Sequence, residues 1–332
     1  MNKPDIAVIG DGGWGTTLAI LLSKKGFPVT LWGAFAGYTE FLNKKRVNTK
    51  FLPGIKIPAR INITHELGSA LRCKKIIVLA VPSQFMRHVL KKIRAAGFDR
   101  SAIFVSVTKG IEISSLKRMS QLIREELGPV KLGVLSGPTI AHEVAVGQPT
   151  TAVIASKDNS IRKYLQEIFM TARFRVYTNA DVIGVEMGGS LKNVVAIACG
   201  ISDGLGFGTN AKAALLARGL VEISRLGKAM SANPKTFGGI SGLGDLVTTC
   251  ISQYSRNRFV GEQIGRGKAY KQIKAHMQMV AEGVPTAKSA YELGVKYKVE
   301  MPIIREVYNV IYKNKSPSKA VSDLMTREKK EE

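Results

Sequence analysis

Acidic residues are scarce in this chain of 332 residues: 25 Asp and Glu stand against 49 Lys and Arg, a formal net charge of +24. That excess points to anionic partners, whether phosphorylated metabolites, nucleic acid or an anionic membrane surface, and composition does not choose among them. Cysteine is rarer still. Cys73, Cys199 and Cys250 are far apart, odd in number and free of any CxxC pair, which supports neither a disulfide framework nor a zinc site. The four histidines (His65, His88, His142 and His276) are scattered without an HxxxH pair, so no metal is expected. No apolar run approaches the roughly 18 residues needed to span a bilayer. Met1-Asn2-Lys3-Pro4-Asp5 leads straight into a four-residue apolar run, which is not the order of a signal peptide. A reduced, cytoplasmic, soluble protein is expected. What is abundant is ordinary: 45% hydrophobic and 22% charged residues mark a folded globular chain rather than bulk disorder. Its length suggests two domains at about 100–200 residues each.

Ile6-Ala7-Val8-Ile9 has the character of a short strand buried on both faces. It runs into Gly10-Asp11-Gly12-Gly13-Trp14-Gly15. Thr16 through Lys25 then reads as a helix with Leu18, Leu21 and Leu22 on one face; Gly26 closes it, and Val29-Thr30-Leu31-Trp32 reads as a second strand. A GxGxxG turn between strand and helix is the dinucleotide-binding fingerprint. Gly10 permits the tight turn, Gly12 lets backbone approach a pyrophosphate, and Gly15 lets the helix pack close to the strand. Amides at the helix start then face the diphosphate. A glycine-rich turn in a nucleotide-free α/β domain is the other reading. The second strand ends in Trp32-Gly33-Ala34-Phe35-Ala36, without the carboxylate that binds the adenosine ribose. Downstream, Lys44, Lys45 and Arg46 either meet a 2′-phosphate or form a solvated charge run. The expected coenzyme is therefore NADP or NAD, with an inclination to NADP.

Further strands are expected at Ile76–Val81, Ile103–Val107 and Leu132–Leu135, ending in Pro82-Ser83, Thr108-Lys109-Gly110 and Ser136-Gly137-Pro138-Thr139. Loops beyond the carboxyl ends of parallel strands line the ligand crevice, so Ser83, Lys109 and Thr139 are expected near the nicotinamide end. From about Asp181 the pattern turns helical. Ile183 through Ser202 places Lys192, Ala196, Cys199 and Asp203 on one face and carries glycines that suit close backbone packing. Lys192 lies in an apolar stretch. Buried, it would have a lowered pKa suited to proton transfer; alternatively it snorkels into water. A second helix is expected over Ala213–Lys228. Asp245 follows a glycine-rich turn, either as a helix N-cap or as the carboxylate orienting Lys192. Ser255-Arg256-Asn257-Arg258 suits a phosphate, or is a surface charge cluster. Glu282-Gly283 is expected on a loop before a helix, and the tail from Asp323 is expected to fray. The expected architecture is an α/β, Rossmann-like dinucleotide-binding domain (residues 1–179) followed by an all-α substrate domain (180–332), with the active site in the cleft between them.

Six motifs in order resemble the bacterial-type NAD(P)-dependent glycerol-3-phosphate dehydrogenases, collinearly from Gly10 to about Tyr312. They are Gly10–Thr16, Thr108-Lys109-Gly110, Ser136–Thr139, Gly188-Gly189-Ser190-Leu191-Lys192-Asn193, Gly242-Leu243-Gly244-Asp245-Leu246 and Ser255–Arg258. The resemblance implies interconversion of dihydroxyacetone phosphate and sn-glycerol 3-phosphate, supplying phospholipid synthesis. It implies Lys192 as proton acceptor, with Lys109 and Asp245 in the catalytic set. Lys109, Gly137, Thr139, Lys192, Asp245, Ser255, Arg256 and Asn257 fall on substrate positions. Besides Gly10, Gly12 and Gly15, the residues Gly13, Trp14, Ala34, Lys109, Ala141, Arg256, Val280 and Glu282 fall on cofactor positions. The chain departs from the family at Asp11 (usually alanine), Ala34 (often basic or polar) and Ile140 (usually phenylalanine); the first two bear on coenzyme choice. A small phosphorylated substrate and a homodimer are expected, with no nucleic acid and no integral membrane association. The alternatives are another two-domain dehydrogenase of the β-hydroxyacid or 6-phosphogluconate type, and a basic nucleotide-sensing or nucleic-acid-binding protein.

Overall fold

The computed structural model describes residues 3–277, 279–329 and 331. Met1 and Asn2, from the segment read for a signal peptide, and Lys330 and Glu332, from the charged tail, lie outside the described residues. The chain packs as two compact units: Met1–Lys109 with Lys117–Glu186, and Gly110–Leu116 with Met187–Glu332.

The first unit is built on an eight-stranded sheet. Its strands, with a small hairpin, are β1 (Ile6–Ile9), β2 (Val29–Trp32), β3 (Val47–Asn48), β4 (Leu52–Lys56), β5 (Asn62–Thr64), β6 (Ile76–Leu79), β7 (Ile103–Ser106), β8 (Lys131–Ser136), β9 (Thr150–Ala155) and β10 (Phe174–Asn179). Sheet order is β10-β9-β8-β7-β6-β1-β2-β5, with β3 and β4 forming the hairpin. Within the eight-stranded sheet all neighbours run parallel except β8 and β9. Residues of β1 alternate between two cores: Ile6 and Val8 face one, Ala7 and Ile9 the other. Fully burying side chains of this kind contributes about 1.5–3 kcal/mol each. Helices α1 (Gly13–Lys24), α2 (Ala36–Lys45), α3 (Leu67–Leu71), α4 (Met86–Ala96), α5 (Met119–Leu127), α6 (Ala141–Ala145) and α7 (Asn159–Phe169) complete this unit. The chain leaves β1 toward β2 and later returns to β6 on the other side of β1. The carboxyl end of β1 is thus the switch point where open α/β sheets bind ligands.

Helix α8 (Val182–Gly204) begins in the first unit and continues into the second. The expected division after residue 179 falls ahead of it, whereas the compact units divide inside it. Glu186 explains the difference: its carboxylate accepts from the Ser120 amide at 2.7 Å and the Ser120 hydroxyl at 2.6 Å, and it pairs with Arg118. Gly110–Leu116 packs with the second unit, where the Ser289 hydroxyl donates to the Ile111 carbonyl at 3.2 Å.

The second unit holds α9 (Thr209–Ala229), α10 (Asp245–Ile251), α11 (Arg256–Gly265), α12 (Tyr270–His276), α13 (Gly283–Tyr297), α14 (Pro302–Tyr312) and α15 (Pro317–Met325), and no strand among the described residues. The tail differs from expectation: α15 runs on to Met325, and Arg327 pairs with Glu300. Contrary to the expectation that no apolar stretch is long enough to span a bilayer, α8 is so by length and composition, because its scattered polar residues dilute a long apolar pattern only slightly; 94% of its apolar window is buried within the protein. Its glycines are where α11 approaches. A Cβ at Gly200 would lie 2.0 Å from the Arg258 carbonyl oxygen, and one at Gly204 would lie 2.3 Å from that of Glu262. The approach is mutual, because Cβ atoms at Gly261 and Gly265 would lie 2.1 and 2.4 Å from the carbonyl oxygens of Ile197 and Ile201. Glu222 of α9 caps α14, accepting from the amides of Ile303 at 2.7 Å and Ile304 at 3.1 Å. Burial pushes this carboxyl from its usual 4.5 up to about 7, outweighing the two amides.

Two predictions follow from this packing. Gly200→Ala should destabilise the protein by about 1–3 kcal/mol through overpacking, read as a lowered urea midpoint. Gly68→Ala, where a Cβ meets nothing within 4 Å, serves as the control; equal midpoints for the two variants would contradict the α8–α11 contact. Between pH 4.5 and about 7 the folded chain holds a proton on Glu222 that the unfolded chain has lost, so this group's contribution to stability falls as pH rises through that window. Wild-type stability relative to Glu222→Gln should therefore decline by on the order of 2–3 kcal/mol across it. A pH-independent difference between the two would refute the assignment.

Candidate active site

One group of candidate residues lies at the carboxyl ends of β1, β7 and β8. Gly10 takes φ 120°, and a Cβ there would lie 2.6 Å from the Ala80 carbonyl oxygen. A Cβ on Gly15 would lie 1.9 Å from the Gly10 carbonyl oxygen, so α1 lies directly on the strand end. Gly12 differs, with nothing within 4 Å of where its Cβ would be. The protein itself therefore requires glycine at 10 and 15, while position 12 opens on space. Helix α1 starts at Gly13, within the turn, and no side chain caps it. Bare amides facing open space at a switch point suit a dinucleotide's pyrophosphate, so the residues fit the coenzyme. Ala141 adjoins this turn: its carbonyl accepts from the Thr17 hydroxyl at 3.0 Å. Trp14 is half-buried, its ring 6.5 Å from that of Phe174, and Ala34 is exposed beyond β2.

Sequence reasoning missed the residue that holds this turn. Asn48 is wholly buried. Its Nδ2 donates to the Asp11 carbonyl and to the Thr16 hydroxyl, both at 2.8 Å, and its Oδ1 accepts from the Tyr38 hydroxyl at 2.7 Å. A buried asparagine in a strand of two residues leaves no periodic signal.

Lys109, Gly137 and Thr139 come together. The Lys109 ammonium donates to the Gly137 carbonyl at 2.7 Å and to the Thr139 hydroxyl at 3.3 Å. Ser83 is buried beyond β6, where its hydroxyl accepts from Gln84 at 3.1 Å. Lys44 and Lys45 sit exposed in the last turn of α2. Arg46 is committed to structure, donating to the carbonyls of Ile61 at 2.7 Å and Asn43 at 3.1 Å.

A second group of candidate residues belongs to the helical unit. Lys192 is 5% exposed and Asp245 1%, so the lysine does not snorkel. Its ammonium donates to the Asp245 carboxylate and, at 2.6 Å, to the Thr249 hydroxyl, which in turn donates to the Asp245 carbonyl at 2.7 Å. Asp245 opens α10 without capping it. Of the two readings of that carboxylate, the structure shows the one that orients Lys192. Thr249, one turn beyond Asp245, was not anticipated; the four-residue spacing is the signal that could have found it. Close approach is again made by glycine, since a Cβ at Gly188 would lie 2.7 Å from the Ser241 carbonyl oxygen.

The four-residue basic cluster divides. Ser255 caps α11, its hydroxyl accepting from the Arg258 amide at 3.2 Å. Arg258 turns to Asp203 at 2.7 Å, so it is structural. Asp203 also pairs with Lys212 at 2.7 Å. Arg256 is exposed at the helix start and donates to the Val280 carbonyl at 2.9 Å, one residue before Ala281-Glu282. Asn257 is buried, donating to Asn193 at 2.9 Å and accepting from the Gly283 amide at 2.8 Å. Glu282 stands at the N-cap position of α13, and so on a loop before a helix as expected. Three of the anticipated coenzyme positions, Arg256, Val280 and Glu282, thus gather in this unit. No group of three or more His, Cys, Asp or Glu that could hold a metal occurs among the described residues.

Comparison with known proteins identifies the family. A family model described as NAD-dependent glycerol-3-phosphate dehydrogenase N-terminus matches residues 5–162, and its C-terminal counterpart matches residues 181–322. The chain is 48% identical to glycerol-3-phosphate dehydrogenase (NAD(P)+) of Prosthecochloris aestuarii, over 98% of this chain and 99% of that one. It is 50% identical to the enzyme of the same name from Citrifermentans bemidjiense, over 98% of each. The crystal structure of glycerol-3-phosphate dehydrogenase from Coxiella burnetii, 36% identical, superposes with a TM-score of 0.95 over 98% of this chain and 99% of that one. With a Rossmann-like unit, a helical unit and both family halves matched, the chain belongs to the NAD-dependent glycerol-3-phosphate dehydrogenase family.

Proposed function

We propose that this protein interconverts dihydroxyacetone phosphate and sn-glycerol 3-phosphate with a nicotinamide dinucleotide and no metal. The observation that carries the reading is the buried Lys192–Asp245–Thr249 constellation in a chain of this family. When bound, the coenzyme supplies hydride in reduction and takes it up in oxidation. As the ketone is reduced, negative charge grows on its oxygen. Lys192, as ammonium, hydrogen-bonds that oxygen and gives it a proton; in the reverse direction the amine takes the proton back. Asp245 and Thr249 hold the lysine head and balance its charge. Lys109, steadied by Gly137 and Thr139, adds a second cation. Ser255, Arg256 and Asn257 bring hydroxyl, guanidinium and amide to the start of α11, where a phosphate is favoured by both charge and helix amides. Binding there positions the reacting carbon. Supply of glycerol phosphate to phospholipid synthesis, a cytoplasmic location and a homodimer belong to the same reading, and their support is the family resemblance.

Lys192→Ala should lower kcat at least about 10²-fold while dinucleotide binding persists. A kcat close to wild type would remove the lysine from the mechanism. Arg256→Ala should chiefly raise KM for the phosphorylated substrate, by about tenfold or more for a lost charge-assisted contact. An equal loss toward an unphosphorylated analogue would show that the arginine does not hold phosphate.

A further inference from the structure

Strand β2 ends without the acid that binds the adenosine ribose in NAD-binding sheets, yet its end is not without a carboxylate. A Cβ built on Gly33 would lie 2.4 Å from Asp11 Oδ2, 2.7 Å from Asp11 Cγ and 2.5 Å from Thr39 Cγ2. The side chain of Asp11 therefore fills the volume that a side chain at 33 would take. Asp11 is fixed there: its own carbonyl accepts from Asn48 at 2.8 Å and from Thr16 at 3.2 Å. Its Oδ2 is buried and has no hydrogen-bond partner. Burial raises the Asp11 pKa, against a backbone hydrogen bond and the charge of Lys50. The residue as a whole is half-buried, so part of its side chain remains open at the turn.

We propose that Asp11 is the specificity-determining carboxylate for the adenosine ribose, accepting from the 2′-hydroxyl of NAD(H) and repelling the 2′-phosphate of NADP(H). The inference rests on the reading that the glycine turn holds a dinucleotide. A ribose offers hydroxyl donors to a carboxylate whose residue is only half-buried. A 2′-phosphate replaces one of those donors with negative charge beside a carboxylate. The cations that inclined the sequence toward NADP do not offset this. Lys44 and Lys45 stand at the far end of α2, roughly 12 Å along its axis from Ala36, and Arg46 is bound to backbone carbonyls. Lys50, the nearer cation, lies over the Tyr38 ring at 4.6 Å from its centroid.

The test is to titrate NADH and NADPH separately, without substrate, into wild type, Asp11→Ala and Asp11→Asn, following nicotinamide fluorescence, with thermal unfolding as a check of fold. Wild type should bind NADH at least about tenfold more tightly than NADPH, the size expected of one charged hydrogen bond. Both variants should lower that ratio about tenfold, Asp11→Ala by losing NADH affinity and Asp11→Asn chiefly by gaining NADPH affinity. Wild type preferring NADPH, or variants that bind both coenzymes at an unchanged ratio, would overturn the assignment of Asp11. If wild type bound neither dinucleotide, the coenzyme reading itself would fall, and the outcomes are thus separable.

Discussion

A lysine ammonium inside a helical core governs the second unit. Removing such an ion from water costs several kcal/mol unless an opposite charge lies in contact with it. Lys192 meets this requirement with Asp245, distant in sequence by 53 residues. Contact across that separation demands that α8 and the turn before α10 approach backbone to backbone. Any side chain at Gly188 would strike the Ser241 carbonyl and crowd the Cα of Gly242. Further along α8 the same device recurs, with Gly200 and Gly204 against α11 and Gly261 and Gly265 replying from α11. This seam also sets where α11 begins, and with it Ser255, Arg256 and Asn257. These glycines therefore place both Lys192 and the start of α11.

The first unit uses glycine differently. Gly10 and Gly15 answer to the protein, because strand, turn and helix would collide without them, whereas nothing in the chain occupies the space beside Gly12. Asn48 makes the difference durable. By holding the Asp11 carbonyl and the Thr16 hydroxyl at once, it fixes the turn from outside the β1–α1 unit. The open face of the turn is thus held in place by a buried polar contact, and the amides at the head of α1 need no rearrangement to meet an anion.

Much of this was legible in order. The turn, α1 and the strands β1, β2, β6, β7 and β8 announce themselves as apolar runs ending in glycine, proline or serine. Strands β3 and β5, of two and three residues, are too short to show a period, and β10 alternates buried and exposed residues beside β9 at an edge that runs against β8. Asp245 stayed ambiguous because a helix cap and a lysine partner both place a carboxylate at a helix start; only the contact with α8 separates them. Arg258 and Arg256 look alike in sequence, yet one faces Asp203 and the other is exposed. The passage of Gly110–Leu116 into the second unit was hidden because its binding partner, Ser289, is 178 residues away.

The scarcity of acids sharpens what Asp11 means. With 25 carboxylates against 49 cations, buried acids are engaged in specific contacts. Glu186 holds Arg118 and Ser120, and Glu126 holds Arg87 and Arg94. Glu222 caps α14, Asp203 joins Arg258 to Lys212, and Asp245 balances Lys192. Each of these carboxylates is satisfied by a cation or by backbone amides, as the cost of burying charge requires. Among the described residues, Asp11 alone has a buried carboxylate oxygen with no donor. It lies in the turn whose backbone is held by Asn48, over the one residue of β2's end that leaves it room. Burial raises the pKa of this carboxyl, a cost that alanine at 11 would not carry, and the proposed ribose contact gives a reason for bearing it.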